Sequence, residues 1–227
     1  MAFKNFVKEL NGNRVEGELL ITMFYSLLTS FIFLFIAYYL KLKTIESIIP
    51  KYGFYLFFSA LSYAIITPAI RQVRAYKEFP CMSGMMIGMT LGMLSSFLIG
   101  FYVASTNGMF YGGFLGVIIG IIIGVWTGKS CGIMGSMEGI MAGFMGGLMG
   151  AMTSVMLLND HLKTAGILIF IISSIIMIKL NYMVYNETKE TEREKKDDHL
   201  FTIIFTIVLI SITTWIIIYG PRGGIFQ

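Results

Sequence analysis

Sulfur and carboxylate side chains share one segment of the chain, CGIMGSMEGIMAGFMGGLMGAMTSVM, which covers residues 131–156. Glycine or methionine fills more than half of its positions, and its single acid is Glu138. On a helical wheel with steps of about 100° per residue, a group of sulfurs lies within about 60° of this acid. The group comprises Cys131, Met134, Met141, Met145, Met149, Met152 and Met156. Because thioether and thiolate ligands select soft ions such as Cu(I), this face predicts soft-metal handling.

Glu138 lies about 10 Å along the helix from Cys131, too deep for a short side chain to reach water at the near end. Acids inside a membrane usually face a bundle interior or a water-filled path. Two interpretations remain open. The carboxylate coordinates or neutralises a cation, or it is protonated and bonded to a neighbouring helix through Ser105 or Asn107.

A second run of methionines, on the stretch that begins near residue 82, repeats this arrangement. Met82, Met85, Met89 and Met93 share a face, and the glycines lie roughly 115° away, in the opposite rotational sense to those beside Glu138. If both helices press their glycines against the helix between them, the methionine faces should line one cleft. The predicted metal ligands are Cys81, Met85, Met89, Met93, Cys131, Met134, Glu138, Met141, Met145 and Met149.

The ends of the predicted cleft also carry polar chemistry. Cys81 and Cys131, the two cysteines of the chain, fall at its inner mouth, and Asp160 with His161 falls near its outer end as a metal entry or exit pair. A reducing inner compartment argues against a structural disulfide, so the thiols are expected to be metal ligands or small buried residues. The methionines themselves have a second interpretation, as flexible side chains that fill gaps left by glycine.

The elements that must position these residues are membrane helices. The chain is 56% hydrophobic and 13% charged, with a mean hydropathy of +0.77, which is typical of a bilayer protein. Its apolar stretches predict about seven transmembrane helices in an all-α integral membrane protein. They run near Leu19–Leu40, Gly53–Ile70, Met82–Val103, Met109–Trp126, Ile133–Leu158, Ala165–Tyr185 and Leu200–Tyr219.

One polytopic domain, 19–220, should follow a polar N-terminal segment, 1–18, and contain a charged loop at 186–199. Within it, residues 81–156 hold thirteen of the seventeen methionines and eighteen of the twenty-five glycines. Glycine recurs there every fourth residue, a pattern that lets membrane helices approach closely, so we expect a glycine-zipper core of three helices inside a jacket of four. The predicted packing residues are Gly84, Gly88, Gly92, Gly112, Gly116, Gly120, Gly124, Gly139, Gly143 and Gly147.

The basic residues predict an orientation in the cell membrane. When the loops are assigned to alternate sides of seven spans, twelve of the seventeen Lys and Arg residues fall on the side of the N-terminus. Cytoplasmic loops are enriched in Lys and Arg, so the N-terminus is expected inside and the C-terminus outside. The polar start of the chain predicts no cleaved signal peptide.

Two MxxxM pairs, Met85 with Met89 and Met141 with Met145, accompany GxxxG in this core. The combination resembles the core of the high-affinity eukaryotic copper uptake transporters. In that family paired methionines line the pore of a trimer and pass Cu(I) between rings, so the resemblance implies Cu(I) as the ion. It covers a few helical turns, since that family has three spans and an extracellular methionine-rich tail, and it indicates shared chemistry rather than membership.

These patterns predict a membrane protein that transports or buffers a soft metal ion, most plausibly Cu(I), along a methionine-lined cleft. No tightly bound cofactor, catalytic motif or nucleic-acid surface is predicted, so enzymatic activity is not expected. The expected partners are the bilayer, the soft ion, and a second copy or another membrane protein. The alternatives are a glycine-zipper channel for protons or small cations and a structural membrane assembly subunit without metal.

Overall fold

The protein was analysed as a computed structural model, which describes residues 17–40, 48–76, 79–188 and 199–222. These residues are almost entirely helical, and they confirm the all-α prediction. The helices are α1 Gly17–Leu40, α2 Ile48–Ala75, α3 Cys81–Asn107, α4 Met109–Gly128, α5 Gly132–Met156, α6 Leu162–Glu187 and α7 His199–Tyr219. The polar segment before residue 17 and most of the charged loop at 186–199 lie outside the described residues.

Six helical segments of the described chain are long and apolar enough to cross a membrane, as a membrane-embedded protein requires. One of them, Met109–Met156, has 48 residues and contains both α4 and α5. A single turn of 3-10 helix, Lys129–Cys131, separates these two helices, and Gly132 follows it with φ of 69°. Glycine tolerates this left-handed conformation, so the chain can reverse here within a few residues.

Helices α4 and α5 run antiparallel, and their glycines meet in register. A β-carbon added to Gly124 would lie 2.6 Å from the carbonyl oxygen of Gly139, and one added to Gly147 would lie 2.8 Å from the carbonyl carbon of Gly116. The intervening glycines form similar pairs, Gly128 with Gly135 and Gly120 with Gly143. The two backbones are therefore in contact, because there is no side chain to separate them.

Helix α3 completes the trio and packs against both partners. It is antiparallel to α4, where a β-carbon on Gly88 would lie 2.8 Å from the Cα of Gly128. It is parallel to α5, where a β-carbon on Gly100 would lie 2.7 Å from the carbonyl oxygen of Gly147. These contacts bring together the glycine-bearing faces that the four-residue spacing predicts.

The row of small residues by which α3 packs against α4 and α5 includes more than the predicted glycines. Ser96 lies against Gly120 and Gly146, Gly100 against Gly116, and Ala104 against Gly112. Each small residue of α3 follows the previous one by four positions, from Gly84 to Ala104. A search for small residues rather than for glycine alone would have found this extension.

The other helices gather around α2 instead of enclosing the trio. Helix α2 packs against α1, α3, α6 and α7, and its buried side chains, such as Tyr63 and Ile70, join those of α3 in the main hydrophobic cluster. Helix α5 packs mainly against α3 and α4. The expected jacket is therefore incomplete, because one whole side of α5 faces outward.

Replacement of Gly139 by alanine should destabilise the trio. Its β-carbon would lie 2.8 Å from the backbone nitrogen of Val125 and closer still to the backbone of Gly124, which cannot rotate away. Overpacking of this kind typically costs about 1–3 kcal/mol, so Gly139→Ala should lower the melting temperature of the detergent-purified protein.

The matched control is Gly113→Ala, whose β-carbon would lie 3.5 Å from the Cβ of Ala151, an ordinary van der Waals distance. This variant should melt at or above the temperature of the parent, because alanine favours the helix. Equal melting temperatures for both variants would contradict the backbone contact between α4 and α5.

Candidate functional site

The outward side of α5 carries a continuous row of methionines. Met134, Met141, Met145 and Met149 are 64, 59, 55 and 51% exposed, and each lies about one helical turn or two from the next. Glu138 lies between the first two and is partly exposed. The helix therefore presents sulfurs and one carboxylate on the same surface, as its sequence predicts.

Helix α3 contributes its methionines beside this row. The carbonyl oxygen of Met93 faces Gly146 of α5, within 2.5 Å of where a β-carbon would lie, so the two helices touch at the level of the row. Met89 is exposed, and Met85 and Met93 are partly exposed. We define the methionine face as Met85, Met89, Met93, Met134, Glu138, Met141, Met145 and Met149.

Among the described residues the methionine face is an open surface, and no other helix of the chain covers it to complete the cleft that the sequence pattern predicts. The glycine-bearing side of α5 is buried against α3 and α4. Among the described helices of the chain, none covers the opposite side. The wheel positions were sufficient to place the sulfurs on one side of the helix. They could not show whether another element covers that side.

Glu138 has neither of its expected neighbours. Ser105 shares a hydrogen bond of 2.8 Å with Ser154, and the amide of Asn107 donates to the carbonyl oxygen of Ile216. Both lie toward the other end of the trio. Within the described residues no hydrogen bond or ion pair reaches the carboxylate of Glu138. The protonated acid held by Ser105 or Asn107 is thus not the arrangement found.

The two cysteines are joined to each other, contrary to the expectation of free thiols. Cys81 at the start of α3 and Cys131 at the end of the 3-10 turn form a disulfide, with Cα atoms 5.0 Å apart. Glycine contacts bring the starts of α3 and α5 together, and this places the two residues within bonding reach. A disulfide offers no thiolate, so in this state neither cysteine is the metal ligand that the sequence predicts.

Asp160 and His161 lie at the opposite end of α5, in the turn that leads to α6. The ring nitrogen Nδ1 of His161 lies 2.7 Å from a carboxylate oxygen of Asp160, and both side chains are highly exposed. His161 has φ of 45°, a left-handed conformation that turns the chain into α6. The pair is accessible, and its part in metal entry or exit stays a prediction.

Arg71, near the end of α2, is buried beside the start of α1 and forms a polar centre that the sequence pattern did not predict. Arg71 is 3% exposed and donates to a carboxylate oxygen of Glu18 at 2.8 Å and to the hydroxyl of Thr22 at 3.0 Å. It also contacts Nδ1 of His199 at 3.1 Å. The cluster ties α1, α2 and α7 together.

Hydroxyl groups continue this cluster between the same three helices. Ser26 shares a hydrogen bond with Thr67, and Thr29 shares one with Thr206. Serine and threonine commonly bond across membrane helices, where water is absent. In the sequence, the spacing of four residues between Thr22, Ser26 and Ser30 in an apolar span could have predicted this row of hydroxyl groups between helices.

A metal ion would have to rely on thioethers in this structure. Among the residues that the structure describes, no three His, Cys, Asp or Glu side chains come together in a group that could hold a metal. The methionine face supplies soft donors, with Glu138 as a hard and negatively charged one. Binding of an ion to it stays a prediction.

The Arg71 cluster should be essential for stability. Arg71→Met removes the buried guanidinium that donates to the carboxylate of Glu18, whose side chain is 26% exposed. Loss of one partner from a fully buried pair costs about 3–5 kcal/mol, so a somewhat smaller loss is expected here. The variant should melt below the parent in detergent.

The matched control is the double variant Arg71→Met with Glu18→Leu, in which no charge is left unpaired. It should recover a large part of the loss, because apolar replacements of a buried pair are often nearly neutral. A double variant as unstable as the single one would show that the ion pair is not the source of the effect.

The chain was compared with known proteins at three levels. No protein-family model, curated protein or solved structure matches it. Its function has therefore to be argued from its own residues.

Proposed function

We propose that this protein crosses the cell membrane seven times and transports or buffers a soft metal ion, most plausibly Cu(I), along the methionine face. The observation that supports this most directly is the exposed row of sulfurs on α5, interrupted only by a carboxylate that has no hydrogen-bond or ionic partner in the described chain. A thioether row binds soft ions while holding hard ions weakly.

The exposure of the row weakens the interpretation of these methionines as packing material. Methionine fills irregular gaps inside cores, but the gaps between α3, α4 and α5 are closed by glycine backbones. The sulfurs of Met141, Met145 and Met149 lie on the other side, where the chain leaves no gap to fill. A role on the surface accounts for their position better than a role in the core.

Glu138 supplies the charge that a cation in a bilayer requires. A bare carboxylate facing lipid is costly, as is a bare Cu(I) ion, and each neutralises the other when they meet. The acid lies between Met134 and Met141, one turn from each. We assign it the role of balancing the charge of an ion held by these thioethers.

A partner is expected to cover the methionine face in the membrane. The carboxylate of Glu138 on an open surface is a poor neighbour for lipid tails. A second copy of the chain would bring a second set of the same ligands and enclose the path. We therefore include a homo-oligomer, or another membrane protein, in the proposal, together with an N-terminus inside and a C-terminus outside.

The second candidate is a glycine-zipper channel for protons or small cations, or a structural subunit of a membrane assembly. It is favoured by the unpartnered carboxylate of Glu138, which could gate such a path without any metal. The same glycine contacts would then serve only to make a rigid trio. In this alternative the methionines have no specific role.

Replacement of three sulfurs should remove metal binding. Met141, Met145 and Met149 changed together to leucine keep the volume and apolar character of the face but remove its soft donors. The variant should lose most of the Ag(I) or Cu(I) that the parent retains after gel filtration, as measured by elemental analysis.

The matched control changes two exposed methionines on other helices to leucine, Met23 of α1 and Met109 of α4. It should bind as much metal as the parent. Negligible metal in parent and variants alike would exclude the methionine face as a binding path.

Glu138→Gln separates the two candidates. For a metal path it should weaken Cu(I) affinity several-fold, because the counter-charge is lost, while the leucine triple variant should abolish binding. For a channel it should abolish proton or cation flux into liposomes, while the leucine triple variant conducts normally. Flux that depends on Glu138 and not on the sulfurs would favour the second candidate.

A further inference from the structure

The disulfide lies where the two methionine-bearing helices begin. Cys81 is the first residue of α3, and Cys131 immediately precedes α5. The two helices are parallel, so their methionines extend from this end in the same direction. The cystine is therefore at one end of the methionine face.

Both sulfurs are placed for thiol chemistry. Cys81 is exposed and Cys131 partly exposed, beside the exposed Lys129. Both also lie at helix N-termini. An exposed disulfide is one that a reductant can reach and open.

Backbone contacts hold this end together beside the disulfide. A β-carbon on Gly84 would lie 3.2 Å from the Cβ of Cys131, and the backbones of Gly88, Gly128 and Gly135 are in contact one turn further in. We expect these contacts to persist when the S–S bond is broken. Two free thiols would then stay within reach of a single ion.

Thioethers flank the two cysteines on both helices. Met82 adjoins Cys81 and is highly exposed, and Met134 lies one turn from Cys131 and is exposed as well. Two thiolates with neighbouring thioethers form a soft ligand set that suits Cu(I) and Ag(I). The next donors inward are Met85 and Glu138.

We propose that the Cys81–Cys131 disulfide is a redox-controlled entrance to the methionine face: closed when oxidised, and a two-thiolate binding site for a soft ion when reduced. The inference rests on the proposed function, since the site would pass its ion to the methionines. The distribution of basic residues predicts that this end faces the cytoplasm, where thiols are kept reduced.

The chemistry requires a dithiol reductant. One of its thiolates attacks a sulfur of the cystine, the S–S bond breaks, and a mixed disulfide forms. Its second thiol resolves that intermediate, so the reductant leaves as a disulfide and two electrons and two protons remain on Cys81 and Cys131. An ion bound between both sulfurs as thiolates then releases these two protons to solvent.

The test uses Ag(I), which does not oxidise thiols, on the full chain in detergent. Oxidised protein and protein reduced and then freed of reductant without air are each equilibrated with Ag(I) and passed over a gel-filtration column. The reduced form should retain about one more silver ion per chain than the oxidised form. This difference should vanish in Cys81→Ser and in Cys131→Ser, and it should persist in the Met141, Met145, Met149 leucine variant.

The outcomes separate this inference from the proposed function. Silver retained by the oxidised parent and lost in the leucine variant supports the methionine face, whatever reduction does. Equal silver in both redox forms, with two free thiols counted by mass spectrometry after alkylation, would overturn the redox-controlled entrance alone. An aggregated gel-filtration profile on reduction would also overturn it, because the disulfide would then be a structural cross-link.

Discussion

Contact between bare backbones is the interaction on which this fold depends. Lipid tails are as apolar as leucine, so membrane helices gain little from hiding apolar side chains and rely on close packing. Glycines at every fourth position allow α3, α4 and α5 to approach until no room is left for a β-carbon, as between Gly124 and Gly139. Such contacts fix the register of each helix to the residue. The outward direction of the methionines and the closeness of the two cysteines both follow from that register.

Much of this arrangement could be predicted because it is local and periodic. The lengths of the apolar stretches predicted the bounds of every described helix to within a few residues, except those of α2. Helix α2 continues to Ala75 because Arg71 and Gln72 are buried by neighbouring helices. The four-residue spacing of glycine predicts packing faces on α3, α4 and α5, and backbone contacts between these helices lie at several of those glycines. The wheel angle between Met145 and the glycines also placed the sulfurs on a separate side of α5.

Other features depend on which distant segments meet, and periodicity carries no such information. Cys81 and Cys131 are 50 residues apart, and only the registered packing of three helices brings them together. The Arg71 cluster joins residues of three helices, and one of them is His199. These residues share no sequence pattern. The openness of the methionine face depends on where α1, α2, α6 and α7 pack, and these helices gather around α2 rather than against α5.

The tight reversal between α4 and α5 has a consequence for how the protein is made. Its 3-10 turn spans three residues, and the two helices are paired along their lengths, so α5 is the second arm of a helical hairpin. When α4 leaves the ribosome, its surface for α3 already has a partner, but its other glycine surface waits for the three residues of the turn and the 25 residues of α5. We therefore expect an order of assembly, in which α3 and α4 pair first and α5 closes the trio.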